Sequence, residues 1–122
     1  MTINTLDHVT INTSDLDACK KFYSETLGFE DGPRPAIDIP GAWMYCGDQP
    51  VLHLMSMPGG SSGPTGALDH VAFRCTDFEK IKQRLSDAKV EFGENHVPDF
   101  KIRQLFLHDP DGVKIELNFA EE

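Results

Sequence analysis

The sequence is poor in cysteine, in basic side chains and in long apolar runs, and each shortage excludes a class of protein. Its three cysteines, Cys19, Cys46 and Cys75, are odd in number and far apart. That excludes a disulfide framework and a paired-thiolate zinc site, and leaves reduced, buried thiols as the expectation. Lys and Arg together number 11 against 20 Asp and Glu, a formal charge of −9. Such a field repels phosphate backbones, so nucleic acid is not expected as a partner. No apolar run approaches the roughly 18 residues of a membrane span, and the first residues lack the basic-then-apolar layout of a secretion signal. The expectation is a cytoplasmic protein that handles a small molecule, away from membranes.

What is present is ordinary globular material: 122 residues, 39% hydrophobic and 25% charged. A chain of this length buries roughly two thirds of its extended surface, enough for one core. Of the five histidines, three sit inside short apolar segments, where a polar ring needs a reason to be. Superposing the chain on itself supplies one. Leu6-Asp7-His8-Val9 recurs as Leu68-Asp69-His70-Val71, an offset of 62. At the same offset Ser14-Asp15-Leu16-Asp17 matches Thr76-Asp77-Phe78-Glu79, each a hydroxyl N-cap with an acid three positions on. Two helices are expected there. The first carries an apolar stripe at Leu16, Cys19, Phe22, Tyr23 and Leu27 and stops at Gly28; the second carries Phe78, Ile81, Leu85 and Ala88.

Short β-like runs follow each helix: Phe29 to Ile39, Ala42 to Cys46 and Val51 to Met57, then Val90 to Val97, Ile102 to Leu107 and Val113 to Phe119. The expected fold is α+β, two tandem βαβββ modules forming a curved mixed sheet around a metal-binding cleft. The first module covers 1–57 and the second 67–122. Pro58 to Gly66, rich in Gly and Ser, is read as a flexible link with no capacity to pack.

The repeat also aligns polar side chains. His8 and His70 occupy matching first strands, and His53 and Glu116 match in the last strands, at an offset of 63. A lone histidine in a strand is ordinarily a hydrogen-bonded structural residue. The same type at the same place in two repeats, each followed by a ligand-type residue, points instead to three imidazoles and a carboxylate converging on one divalent metal. Zn, Ni, Mn, Co and Fe are all chemically admissible. His96 and His108, beside turns, are expected to be solvent-exposed.

These residues resemble the vicinal oxygen chelate superfamily, which includes glyoxalase I, fosfomycin-resistance proteins, extradiol dioxygenases, methylmalonyl-CoA epimerase and bleomycin-binding proteins. The resemblance covers nearly the whole chain. It rests on Leu6-Asp7-His8-Val9-Thr10-Ile11, on Phe22-Tyr23 with Leu27-Gly28-Phe29, on Leu68-Asp69-His70-Val71-Ala72-Phe73, and on Phe106-Leu107-His108-Asp109-Pro110-Asp111-Gly112-Val113-Lys114-Ile115-Glu116-Leu117. In the last of these, Pro110 fixes φ and Gly112 permits φ > 0, so Asp109 to Gly112 is expected to form a tight hairpin that sets the register of Glu116.

The resemblance implies metal ligation by His8, His70 and Glu116, with His53 at a place that is Glu in many glyoxalases and Gln in the epimerases. In glyoxalase-type chemistry a carboxylate there moves a proton, which leaves Glu116 as the carboxylate base and His53 as a second acceptor. Phe106 falls where several of these families have a cleft-facing Tyr, and its missing hydroxyl counts against dioxygenase or fosfomycin-type roles. Gln104 shares a face with Phe106. Either Trp43 with Tyr45 or Met44 with Cys46 lines the wall. Lys114 is inward by parity with Glu116, as a rim contact for an anion or a partner for the carboxylate, whereas Arg103 reads as a solvated surface residue. The implied function is a divalent-metal-dependent lyase or isomerase of the glyoxalase type, acting through chelation of vicinal oxygens. The alternatives are an Fe(II) extradiol-type dioxygenase and a metal-free binding protein of the bleomycin-resistance kind. Relatives of this type also imply a homodimer.

Overall fold

A computed structural model of the chain describes residues 5–59 and 63–121. Its contacts divide the chain into two compact units, Met1–Ser61 and Ser62–Glu122. In the first unit, β1 (Val9–Thr13) leads into α1 (Leu16–Lys21), followed by β2 (Glu30–Gly32), β3 (Gly41–Cys46) and β4 (Gln49–Ser56). In the second, β5 (Val71–Cys75) leads into α2 (Phe78–Asp87), followed by β6 (Phe92–Val97), β7 (Ile102–His108) and β8 (Lys114–Ala120). Each unit is thus a βαβββ module with its own four-stranded mixed sheet, ordered β1-β4-β3-β2 in one and β5-β8-β7-β6 in the other. The first and last strands of each module run parallel, and the remaining pairs are antiparallel.

Alternation along the strands separates two faces. Ile11, Thr13, Ala42, Met44, Leu52 and Leu54 are buried in the first module, together with Cys19 and Tyr23 from the helix that packs on β3 and β4. In the second, Leu105, Leu107, Ile115, Leu117 and Phe119 are buried with Leu85 of α2. Phe78 meets Phe119 edge to face at 5.2 Å. Each fully buried leucine contributes roughly 1.5 to 3 kcal/mol, so this face holds the strands in register. The opposite face of each sheet carries His53 or Glu116 together with Trp43 or Phe106.

Several local expectations shift. Helix α1 does not continue to Leu27 as a regular α-helix. From Phe22 to Thr26 it widens, with Leu27 N–H donating to the Phe22 carbonyl and Phe29 N–H to that of Tyr23. Phe22, Tyr23 and Thr26 are all buried in this widened turn. Gly28 ends the segment at φ 85°. The N-caps are Asp15 and Asp77 rather than Ser14 and Thr76. The Asp15 carboxylate accepts from Ala18 N–H at 3.1 Å, while Asp77 sits in the left-handed region with no side-chain cap bond. Between β2 and β3 the run up to Ile39 is not strand beyond Gly32, because Pro33, Pro35 and Pro40 withhold ladder donors.

Of the cysteines, Cys19 is buried and Cys75 half-buried, but Cys46 is exposed. A register shift between Met44 and Cys46 turns it out of the alternation. His96 lies within β6 rather than beside a turn, and it and His108 are exposed as expected. The expected link is partly anchored, with Gly60, Ser61 and Ser62 lying outside the described residues. On one side Met57 N–H donates to Thr13 at 2.9 Å, and on the other Gly63 N–H donates to Asp111 at 2.9 Å. The Asp109–Gly112 turn forms as expected. Asp109 Oδ1 accepts from Asp111 and Val113 N–H at 2.9 and 2.8 Å, and Gly112 has φ 89°. A Cβ on Gly112 would lie 2.5 Å from Gly63 N.

Candidate functional site

In the first module, β4 is the hub. His53 stands opposite Thr10 of β1 and Trp43 of β3, and Trp43 opposite Gly32 of β2, so one row crosses the sheet's polar face. Its rings stack: His53 lies on Trp43 with centroids 4.0 Å apart and planes 8° off parallel. His8, one residue before β1, covers the other side of His53 at 3.7 Å and 13°. Of the two candidate pairs, Trp43 and Tyr45 share this face, while Met44 is buried on the other. His53 Nε2 donates to the Pro50 carbonyl at 3.1 Å, which leaves the Nδ1 lone pair bare. Burial, then the charge of His8, hold His53 below its ordinary pKa against the opposing effects of Pro50 and Asp7; Arg34 adds a smaller push downward. Two stacked imidazoles cannot both carry charge cheaply, so at least one offers a lone pair.

His8 Nδ1 lies 2.6 Å from the Asp7 carboxylate and donates to it, directing Nε2 away as the free nitrogen. The second module repeats this at His70, whose Nδ1 lies 2.8 Å from Asp69. A carboxylate on one ring nitrogen fixes the tautomer and raises the basicity of the other, the usual support for a metal-bound imidazole.

The second module's row reads Ala72, Glu116, Phe106, Gly93, matching Thr10, His53, Trp43, Gly32 strand for strand. Glu116 Oε1 is 3.5 Å from His70 Nε2. That is long for a strong hydrogen bond, and close to the roughly 3 to 3.5 Å that separates two ligand atoms each about 2.0 to 2.2 Å from one cation. The other oxygen is occupied: Asn118 Nδ2 donates to Glu116 Oε2 at 2.7 Å. Behind it Gln104 donates to Asn118 at 3.0 Å, and Asn95 to Gln104 at 2.8 Å. Three amides pointing one way hold the carboxylate as an acceptor and leave Oε1 alone facing the imidazole. The donor set, imidazole nitrogens with a carboxylate oxygen, suits a divalent first-row metal.

The structure brings together His8, His53 and Trp43 within one module, and His70, Glu116, Gln104 and Phe106 on one face of the other. His8 and His70 precede their strands instead of lying inside them. Lys114 pairs with Asp69 at 3.5 Å, its Nζ 5.6 Å above the Phe106 ring, and among the described residues it forms no ion pair with Glu116. Arg103 lies on the helix-covered side, 3.7 Å over Phe78 and 3.0 Å from Glu94. Sequence reasoning did not single out Asp7, Asp69, Asn95 or Asn118. The signals were there for two of them: the aspartates recur with their histidines, and Asn118 shares a face with Glu116 by alternation.

Residues 5–117 match the family model for the Glyoxalase/Bleomycin resistance protein/Dioxygenase superfamily. The chain is 28% identical to Glyoxylase I 4 of Arabidopsis thaliana over 94% of its own length and 70% of that protein's. It is 30% identical to the glutathione transferase FosA of Serratia marcescens, over 95% of its length and 81% of that protein's. Its fold matches a glyoxylase/bleomycin resistance protein/dioxygenase domain from Frankia sp. EAN1pec with a TM-score of 0.82 at 22% identity, covering 99% and 95% of the two chains. No helix among the described residues is long and apolar enough to cross a membrane. With a match that spans nearly its whole length, the chain belongs to the Glyoxalase/Bleomycin resistance protein/Dioxygenase superfamily.

Proposed function

We propose that the chain is a metal-dependent enzyme of the glyoxalase type, in which His8, His53, His70 and Glu116 hold one divalent cation that chelates two adjacent oxygens of a small molecule. The observation that carries this reading is the pair of matched Asp-His units, Asp7 with His8 and Asp69 with His70, in each of which the aspartate holds Nδ1 and leaves Nε2 as the ligand nitrogen, that of His70 facing Glu116 Oε1 at 3.5 Å. Zn, Ni, Mn, Co or Fe(II) suits the donors. A bound cation supplies Lewis acidity toward oxygens beside the reacting carbon.

The chain's own groups handle the proton. Glu116 is the carboxylate that accepts a proton from the substrate and returns it, oriented by the Asn118 amide on Oε2. His53, whose Nε2–H is tied to the Pro50 carbonyl, has one lone pair, on Nδ1, which serves either as a ligand or as a second proton acceptor and not as both at once. Trp43 and Phe106, at matching places in the two sheets, wall the reacting carbon from water, while Gln104 and Lys114 contact substrate oxygens. The assembly we propose is a homodimer in the cytoplasm. A monomer in light scattering at micromolar concentration would overturn the dimer.

Elemental analysis of chelator-free protein is expected to give roughly one metal per chain, lost in His8→Ala and in Glu116→Ala; unchanged occupancy in these variants would overturn the metal. Turnover of a hemithioacetal by the Ni or Zn form is the expected activity. A second reading is an extradiol-type dioxygenase. Its support is the His53 ring, sandwiched between His8 and Trp43 and tied to Pro50, which leaves two histidines and Glu116 as ligands. Oxygen uptake on catechols by the Fe(II) form would select it. A metal-free protein that still binds an aromatic ligand would select a binding role.

A further inference from the structure

The loop between β2 and β3, residues 33–40, carries a cation that the proposed reaction does not use. Its ends are tied down: the Tyr45 hydroxyl donates to the Pro33 carbonyl at 2.6 Å, and Ser56 N–H donates to the Pro40 carbonyl at 2.8 Å. Across the loop, Arg34 Nη2 donates to the Ile39 carbonyl at 2.7 Å. The guanidinium lies against Gly41. A Cβ there would fall 2.3 Å from the Leu54 carbonyl oxygen, 2.9 Å from Arg34 Nη2 and 3.2 Å from its Cζ, so the glycine admits both the neighbouring strand and the cation. Gly41 and Trp43 are alternate residues of β3 and share the face that carries His53. Arg34 is therefore at the rim of the first module's half-site, near enough for its charge to act on His53.

The charge is left uncompensated. The chain has 20 acidic residues, yet among the described residues no carboxylate is within ion-pair distance of Arg34. Of five guanidinium donors, one has the Ile39 carbonyl, and Nε–H is buried without an acceptor. Tying the loop needs one neutral donor. A half-buried cation with spare donors, held by a proline-stiffened loop beside a half-site, is what recognition of an oxyanion requires.

We propose that Arg34 binds an anionic group of the substrate, a carboxylate or phosphoryl oxyanion, and so restricts the enzyme to substrates that carry one. The proposal rests on the proposed function for the substrate's placement, but not for the binding of the anion. The test uses methylphosphonate, with its neutral dimethyl ester as control, followed by the fluorescence of Trp43, the chain's single tryptophan. In chelator-treated protein, where no metal can hold the anion, wild type is expected to bind methylphosphonate saturably and the ester not. Arg34→Met should weaken binding about tenfold or more, the usual worth of a charge-assisted contact. Zinc affinity by calorimetry should change less than threefold in the same variant. Equal binding by wild type and variant, equal binding of the ester, or no binding by wild type would each overturn the proposal. Should Arg34→Met fail to fold, Arg34→Gln, which can still donate to Ile39, replaces it in the same comparison. Loss of zinc binding alone would sink the metal and leave the anion site standing.

Discussion

The two modules share a backbone plan, but their site faces are chemically unlike. At the hub of the first sheet an aromatic stack, Trp43 on His53 on His8, holds the ring by contact. At the hub of the second, a line of amides from Asn95 through Gln104 and Asn118 holds the Glu116 carboxylate by directed hydrogen bonds. Only the Asp-His unit is common to both. A duplicated unit has thus kept the part that aims an imidazole and changed the part that supports its neighbour, stacking for a ring and donors for a carboxylate.

The largest effect should come from attacking the common part. Asp69→Ala and Asp7→Ala are each expected to weaken zinc binding by roughly 10- to 100-fold in calorimetric titration. Asp69→Ala should cost more, since it also frees Lys114 beside His70. Changes under threefold in both would end the idea that these aspartates orient the ligands. A smaller effect should separate the modules. Asn118→Leu removes the donor on Glu116 Oε2 and should cost about tenfold in zinc affinity. Met55→Leu, at the matching position of the first sheet, should cost less than twofold; equal effects would erase the distinction. The smallest is energetic. Trp43→Leu should lower stability in urea unfolding by about 1 kcal/mol more than Phe106→Leu, because Trp43 loses a stacked partner. The reverse order would show that the stack contributes nothing to the fold.

How much of this was legible depends on whether the signal was a residue type at a fixed place or a direction in space. The repeat was legible because Asp-His recurs at one offset and because strand alternation is strict enough to put His53 and Glu116 on equivalent faces. The Asp109–Gly112 turn was legible because Pro and Gly restrict φ in known ways. The caps slipped by one residue because Ser14 and Thr76 each stand before an aspartate at the N-cap position, of which Asp15 makes the capping bond and Asp77 does not. The widened end of α1 was hidden, since an apolar stripe shows which residues are buried and not how the helix winds to bury them. Alternation placed Gln104 and Asn118 on the right face, but which amide donates to which is fixed only by packing. Arg34 carried no periodic signal at all: it is one cation in a proline-rich loop, and its meaning depends on which donors the folded loop leaves without acceptors.

That loop has a kinetic consequence. Three of its eight residues are proline and both ends are bonded, so the entropy of ordering it is already lost in the free protein. An anion reaching Arg34 then waits on no rearrangement, and its arrival is governed by the field it crosses. With a net charge of −9 that field is repulsive at long range. Salt, which weakens most contacts between opposite charges, would here also shorten the barrier to approach. Arg34 would thus act as a local attraction inside a general repulsion, admitting an anion that is small or already close and turning away polyanions at a distance.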